Sequence, residues 1–199
     1  MAVLNATVLV ASLSALASPG RCSTHPVILA YRADRYDPTV EIEAVIEIPK
    51  GSRNKYEIDH ESGDIWLDRM LFTATQYPAD YGFVSGTHAD DGDPLDVLVL
   101  LEEPTFPGCH IHVRPVGVFR MTDEAGGDDK ILAVPSTDPR WEKVQDLDDL
   151  PSHLTEEISH FFAVYKELEP GKGTDVQGWR GAAEAEEIVR RAQAQVRPH

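Results

Sequence analysis

The sequence predicts an α+β protein that is mainly β: a compact barrel of short strands with helices packed outside it. Three observations carry that prediction. Apolar and polar residues alternate over residues 40–48 and 55–59, the period of a half-buried strand. An almost unbroken apolar run at 95–101 has the length of a buried strand. Helical spacing enters only after Pro151, and strands followed by helices are the pattern of an architecture in which the two are segregated.

In order along the chain, Val40, Ile42, Ala44, Ile46 and Ile48 keep one apolar phase, which turns Glu43 and Glu47 to the other face. Pro49-Lys50-Gly51-Ser52 is a turn. In the next strand Lys55, Glu57 and Asp59 share one face, while Tyr56 and Ile58 share the other. Residues 65–71 form a short strand carrying Asp68 and Arg69, and further strands fall at 113–121 and 130–134. Leu154, Ile158, Phe161, Phe162 and Tyr165 recur at helical spacing after Pro151-Ser152, with Ser152 as the expected N-cap. Residues 182–196, rich in Ala, Glu, Arg and Gln, predict a C-terminal helix. Tyr56 and Phe72 are expected in the core, Glu43 and His60 at the surface, and Cys109 as an ordinary thiol.

At 199 residues the chain suits one domain with a tail. Residues 2–17 are apolar or small but fall short of the ~20 residues of a spanning helix. They end in an A-x-A sequence, Ala15-Leu16-Ala17, yet lack the basic start of an export signal. Pro19, Gly20, Pro26 and Pro38 argue against packing up to residue 39. The expectation is an extension or start-site artefact at 1–39, a domain at 40–199, no membrane partner and a cytoplasmic location, with export through the signal-like apolar segment as the alternative.

The balance of 18 basic against 34 acidic residues, a net −16, repels a nucleic-acid backbone. Two cysteines, Cys22 and Cys109, make neither a disulfide framework nor a zinc framework. His110 and His112 form an H-x-H with no third ligand in view.

The densest chemistry is Asp90-Asp91-Gly92-Asp93-Pro94-Leu95-Asp96, four carboxylates directly before the buried strand. Their mutual repulsion is costly unless water or a cation relieves it. An EF-hand loop starting at Asp91 fails, because Leu95 and Asp96 stand where a ligand and a glycine belong. A D-x-D nucleophile fails too, because Ser85-Gly86-Thr87-His88-Ala89 before it is loop-like. A second cluster, Asp123-Glu124-Ala125-Gly126-Gly127-Asp128-Asp129-Lys130, brackets a glycine turn. Lys55, Arg69, Lys130 and Lys166 are spaced through these acidic segments, with Tyr77, Tyr81 and Tyr165. Carboxylates hold hard divalent cations, while Lys, Arg and hydroxyls hold phosphoryl oxygens, so the set suits a phosphate ester or anhydride bound with metal ions.

Asp91-Gly92-Asp93-Pro94-Leu95-Asp96-Val97 resembles the signature of the soluble family I inorganic pyrophosphatases. Other blocks agree in order: Glu47-Ile48-Pro49, Lys55-Tyr56-Glu57, Asp68-Arg69, Tyr77-Pro78-Ala79-Asp80-Tyr81-Gly82, Met121 to Gly126, Asp128-Asp129-Lys130, and Tyr165-Lys166 before Leu168-Glu169-Pro170-Gly171-Lys172. The likeness runs from Val40 to the C-terminus and is greatest to short bacterial members of the actinobacterial type.

The resemblance implies an OB-like five-stranded closed barrel with flanking helices, Mg²⁺-dependent hydrolysis of pyrophosphate to two phosphates, and a homohexamer. It implies that Asp91, Asp96 and Asp128 ligate a tight metal pair and that Asp123 and Glu47 hold further metals. Asp93 is implied as the proton acceptor, with Asp128 as second candidate. Lys55, Arg69, Tyr81, Lys130, Tyr165 and Lys166 are implied to bind phosphoryl oxygens, with Glu57 and Tyr77 supporting them. Two other classes compete. An OB-type nucleic-acid-binding module conflicts with the net −16. A catalytically silent metal-binding protein leaves the cations beside the carboxylates without a purpose.

Overall fold

The computed structural model describes residues 40–89, 92–124 and 126–196. The expectations for the extension at 1–39 and for Asp91 lie outside the described residues. The described elements, in chain order, are β1 (Ile42–Ile48), β2 (Asn54–Ile58), β3 (Ile65–Met70), β4 (Asp80–Val84), β5 (Asp96–Val99), β6 (His110–Asp123), β7 (Gly126–Gly127) and β8 (Lys130–Pro135). Then come two 3-10 turns, α1 (Ser152–Val164), β9 (Thr174–Gly181) and α2 (Ala182–Gln195).

The main sheet runs β1-β4-β5-β8-β6, and β1 also pairs with β6, so five strands close into a ring. This is the expected barrel. Closure removes the open edges that a five-stranded sheet would otherwise present. β5 and β8 are parallel neighbours, and the other pairs in the ring are antiparallel. Ile42, Ala44, Ile46, Val97, Val99, Val118 and Ile131 fill one part of the core with Ala185, Ile188 and Val189 of α2. Leu98, Phe119, Leu132 and Val134 meet Ile158, Phe161 and Phe162 of α1 in the other. A single-residue slip in β5 or β8 would exchange the residues packed on the two sides of the strand and part Asp96 from Lys130, which face each other in the present register.

Gly82 makes the ring tight where β4 crosses β1. A Cβ there would stand 1.9 Å from the Val45 carbonyl oxygen. β2 and β3 pair only with each other, as a separate hairpin outside the ring.

Three expectations need correction or extension. Pro151, not Ser152, is the N-cap of α1; Ser152 is already its first helical residue, and no side chain caps that end. Phe72 is 55% exposed, because it follows the exposed hairpin strand β3 and does not enter the ring. The strands β4 and β9 have no counterpart in the alternation pattern. β4 is interrupted by Gly82, and β9 joins β6 with a glycine- and polar-rich sequence that is half exposed.

Candidate active site

One cavity of about 590 Å³ gathers most of the singled-out residues: Lys55, Glu57, Arg69, Tyr81, Asp93, Asp96, Asp123, Asp128, Lys130, Tyr165 and Lys166. Its floor is set by strand register. Asp96 opens β5, Lys130 opens β8, and the two stand opposite each other in the parallel pair. Their side chains therefore leave the ring at the same level. Lys130 is buried and donates to Asp96 at 2.6 Å and to Asp128 at 2.7 Å. Burial opposes its charge, but the two carboxylates outweigh burial and hold its pKa above the ordinary lysine value. The ammonium also lies 5.4 Å from the Tyr81 ring centroid and 5.2 Å from that of Phe162.

Tyr81, from β4, donates its hydroxyl to Asp96 at 2.6 Å. Burial first, and the Asp96 charge second, push its pKa up, so it stays a donor. Asp128 is pushed up by burial and by Asp96, with Lys130 opposing. Asp93 is carried by a loop folded on itself: Ala89 N–H donates to the Asp93 carbonyl at 2.7 Å, and Gly92 turns at φ 95°, a region that favours glycine.

The hairpin supplies a second wall. Lys55 pairs with Glu57 and lies 3.4 Å from Asp68, while Arg69 pairs with Asp68. The segment after α1 supplies the third: Tyr165, and Lys166, which donates to Asp123 at 2.8 Å. Burial, reinforced by Asp128 and Asp96, raises the Tyr165 pKa.

Two singled-out residues stand behind the lining. Glu47 accepts the Ile58 N–H at 2.8 Å, tying β1 to the hairpin. Burial, with Asp96 adding, pushes its pKa up to about 7, although the Ile58 hydrogen bond pulls the other way. Tyr77 is buried against Tyr81 and Phe161, at centroid distances of 5.4 and 4.9 Å.

Asp68, Glu124, Asp129 and Lys172 also line the cavity, and the sequence pattern gave none of them a role. Lys172 lies 3.4 Å from Glu124. The available signal was the charged pair Glu169 and Lys172 flanking the Pro170-Gly171 turn, close behind Tyr165-Lys166.

Among the described residues no three Asp, Glu, His or Cys groups form a closed metal cage. Asp96 and Asp128 converge on Lys130, and Asp123 on Lys166. The donor set nonetheless fits Mg²⁺, which binds through one or two carboxylates and keeps several waters. Burial, with the Asp96 charge adding to it, raises both Asp128 and Glu47, and a bound cation would favour their charged forms. Among the described residues no helix is long and apolar enough to cross a membrane.

Comparison with known proteins agrees with this geometry. The family model described as inorganic pyrophosphatase matches residues 44–197. An inorganic pyrophosphatase of Leifsonia xyli is 66% identical over 147 residues, 74% of this chain and 90% of the relative. One of Streptomyces coelicolor is 61% identical over 153 residues, 77% of this chain and 94% of the relative. The crystal structure of the Thermus thermophilus inorganic pyrophosphatase superposes with a TM-score of 0.77 at 47% identity, covering 82% of this chain and 94% of that one. A match over most of the chain, at such identity and with the expected ring of strands, leaves one conclusion: the chain belongs to the soluble family I inorganic pyrophosphatases, and is an enzyme of that family.

Proposed function

We propose that this chain hydrolyses inorganic pyrophosphate to two orthophosphates with Mg²⁺ bound, as a cytoplasmic homohexamer. The observation that carries the reading is the convergence of Asp93, Asp96, Asp123 and Asp128 with Lys55, Arg69, Lys130 and Lys166 on one cavity. Pyrophosphate is a polyanion, and so is the carboxylate set; cations must come between them. Asp96, Asp123, Asp128, Glu47 and Asp91 are the residues that would hold Mg²⁺. When bound it would screen the phosphoryl charge and lower the pKa of water toward neutrality.

The protein's own groups do the rest. Lys55 and Arg69 on the hairpin, and Lys166 behind it, neutralise the phosphoryl oxygens and the charge that develops on the leaving phosphate. Tyr81 donates to Asp96 in this cavity, and Tyr165, held protonated like Tyr81, offers its hydroxyl there. Glu57 orients Lys55, and Tyr77 backs Tyr81. Asp93 takes the proton of the attacking water; Asp128 is the second candidate, with Lys130 already bonded to one of its oxygens. The exposed run Ile65, Trp66 and Leu67 on the hairpin supports self-association, since contiguous exposed apolar residues mark interfaces.

Phosphate release from pyrophosphate, with Mg²⁺ and with chelator, tests the reading. Wild-type protein should release phosphate only with the metal. Asp93→Asn should lose about 10²–10⁴-fold in kcat, the usual worth of a general base. A folded wild-type protein that released no phosphate would end the proposal. If Asp93→Asn kept its rate and Asp128→Asn lost it, the base would be Asp128. Sedimentation velocity reads the hexamer directly.

A further inference from the structure

Arg69 is reached by carboxylates from two sides. Asp68, its neighbour on β3, takes Nη1. Glu169 takes Nε at 3.0 Å, from a point 100 residues away in sequence. Glu169 is 7% exposed and does not line the cavity, whereas Arg69 does. A buried carboxylate this far from solvent needs a charge partner, and Arg69 supplies it.

The main chain of Glu169 is held independently of Arg69. The Glu169 N–H donates to the Lys166 carbonyl at 2.8 Å, and the Glu169 carbonyl accepts the Lys172 N–H at 3.2 Å. Glu169 thus sits in a tight turn directly behind Tyr165 and Lys166. The hairpin has no ladder hydrogen bonds to the ring, so the position of Arg69 depends on such side-chain ties. With Nε and one Nη1 proton engaged, a guanidinium keeps three N–H donors, one on Nη1 and two on Nη2. Those three are the fork that a phosphoryl group meets.

We propose that Glu169 is a positioning residue for the pyrophosphatase reaction: it acts through Arg69, locking the guanidinium so that its remaining donors face the cavity. The proposal rests on the functional reading above. Glu169 itself does not touch substrate. It ties Arg69 on the hairpin to the segment that carries Tyr165 and Lys166, so that the hairpin wall and the wall behind α1 keep a fixed spacing.

The test is a double-mutant cycle on kcat/KM for pyrophosphate with saturating Mg²⁺, using wild type, Arg69→Ala, Glu169→Ala and the double variant. Glu169→Ala should lose about 10–100-fold, the scale of a misplaced binding group. The double variant should lie within about twofold of Arg69→Ala, because the anchor has nothing left to hold. Glu169→Gln, which can still accept from Nε, should recover most of the activity. The Arg69 Nε–H signal in a ¹⁵N NMR spectrum without substrate should be sharp and protected in wild type and lost in Glu169→Ala. Losses that multiply in the double variant would overturn the proposal, as would an unchanged Nε–H signal. If Glu169→Ala does not fold, the same cycle is run with Glu169→Met, which keeps the volume of the side chain but offers Nε no carboxylate. A wild type that does not hydrolyse pyrophosphate defeats the functional reading, and the NMR arm still decides whether Glu169 holds Arg69.

Discussion

Lys130 and Asp96 face each other across the one parallel pair of the ring, and the 2.6 Å contact between them joins the barrel core to the cavity floor. The same ammonium serves Asp128 at 2.7 Å. It is therefore an internal counter-ion for two carboxylates that would otherwise repel each other.

Lys130→Met removes that counter-ion and leaves two negative groups together. Taking one partner from a buried pair costs about 3–5 kcal/mol. The variant should melt well below wild type in chelator. Added Mg²⁺ should recover more of the lost melting temperature than it adds to wild type, because the cation replaces the missing charge. Thermal melts with and without Mg²⁺ check this; equal metal responses would refute it.

Glu47 gives the fold a pH dependence of definite sign. Its carboxyl ionises near 4.5 when unperturbed and at about 7 in the fold. The folded state then holds the proton more tightly, so the stability it contributes is full below 4.5 and lost as pH rises through 7. Glu47→Gln keeps an acceptor for the Ile58 N–H but cannot ionise. In chelator it should stabilise the protein by on the order of 1–3 kcal/mol at pH 8 and by almost nothing at pH 4. Melting curves at the two pH values decide it, and a gain at pH 4 only would reverse the assignment.

Gly82→Ala tests the crossing of β4 over β1. The new methyl would meet backbone atoms of Val45 and Ile46 at 1.9–2.9 Å, and backbone has little freedom to yield. Overpacking of side chains costs typically 1–3 kcal/mol; a backbone collision inside a closed ring should exceed that. Tyr81 is the next residue, so any variant that folds should also lose part of the Tyr81–Asp96 contact. Solubility, circular dichroism and Mg²⁺-dependent turnover measured together check both effects.

The strands with regular alternation were legible in the sequence, because burial on one face leaves a period-two trace, as in β1. β4 was not, because Gly82 is there for a close approach and breaks the pattern. β9 was not, because it adds to the outside of β6 and buries little. Phe72 was misjudged because hydrophobicity alone does not say whether a strand belongs to the ring or to the hairpin. In the site, the motif blocks contain most of the charged residues that line the cavity, while Glu47 and Tyr77 of the same blocks stand behind it. Glu169 escaped because its task is to hold another side chain across 100 residues of sequence, and no local spacing records such a partnership.

The hairpin outside the ring has a consequence for how this enzyme can change. Lys55 and Arg69 hang on a two-stranded sheet of their own, while Asp96 and Lys130 are built into the barrel ladder. Under the roles proposed above, two of the cations assigned to the substrate and a carboxylate assigned to the metal thus belong to separate hydrogen-bonded frameworks. A hairpin altered at its Asp59–Asp64 bend, or traded for another, would change the wall that carries Lys55 and Arg69 without disturbing a single rung of the ring.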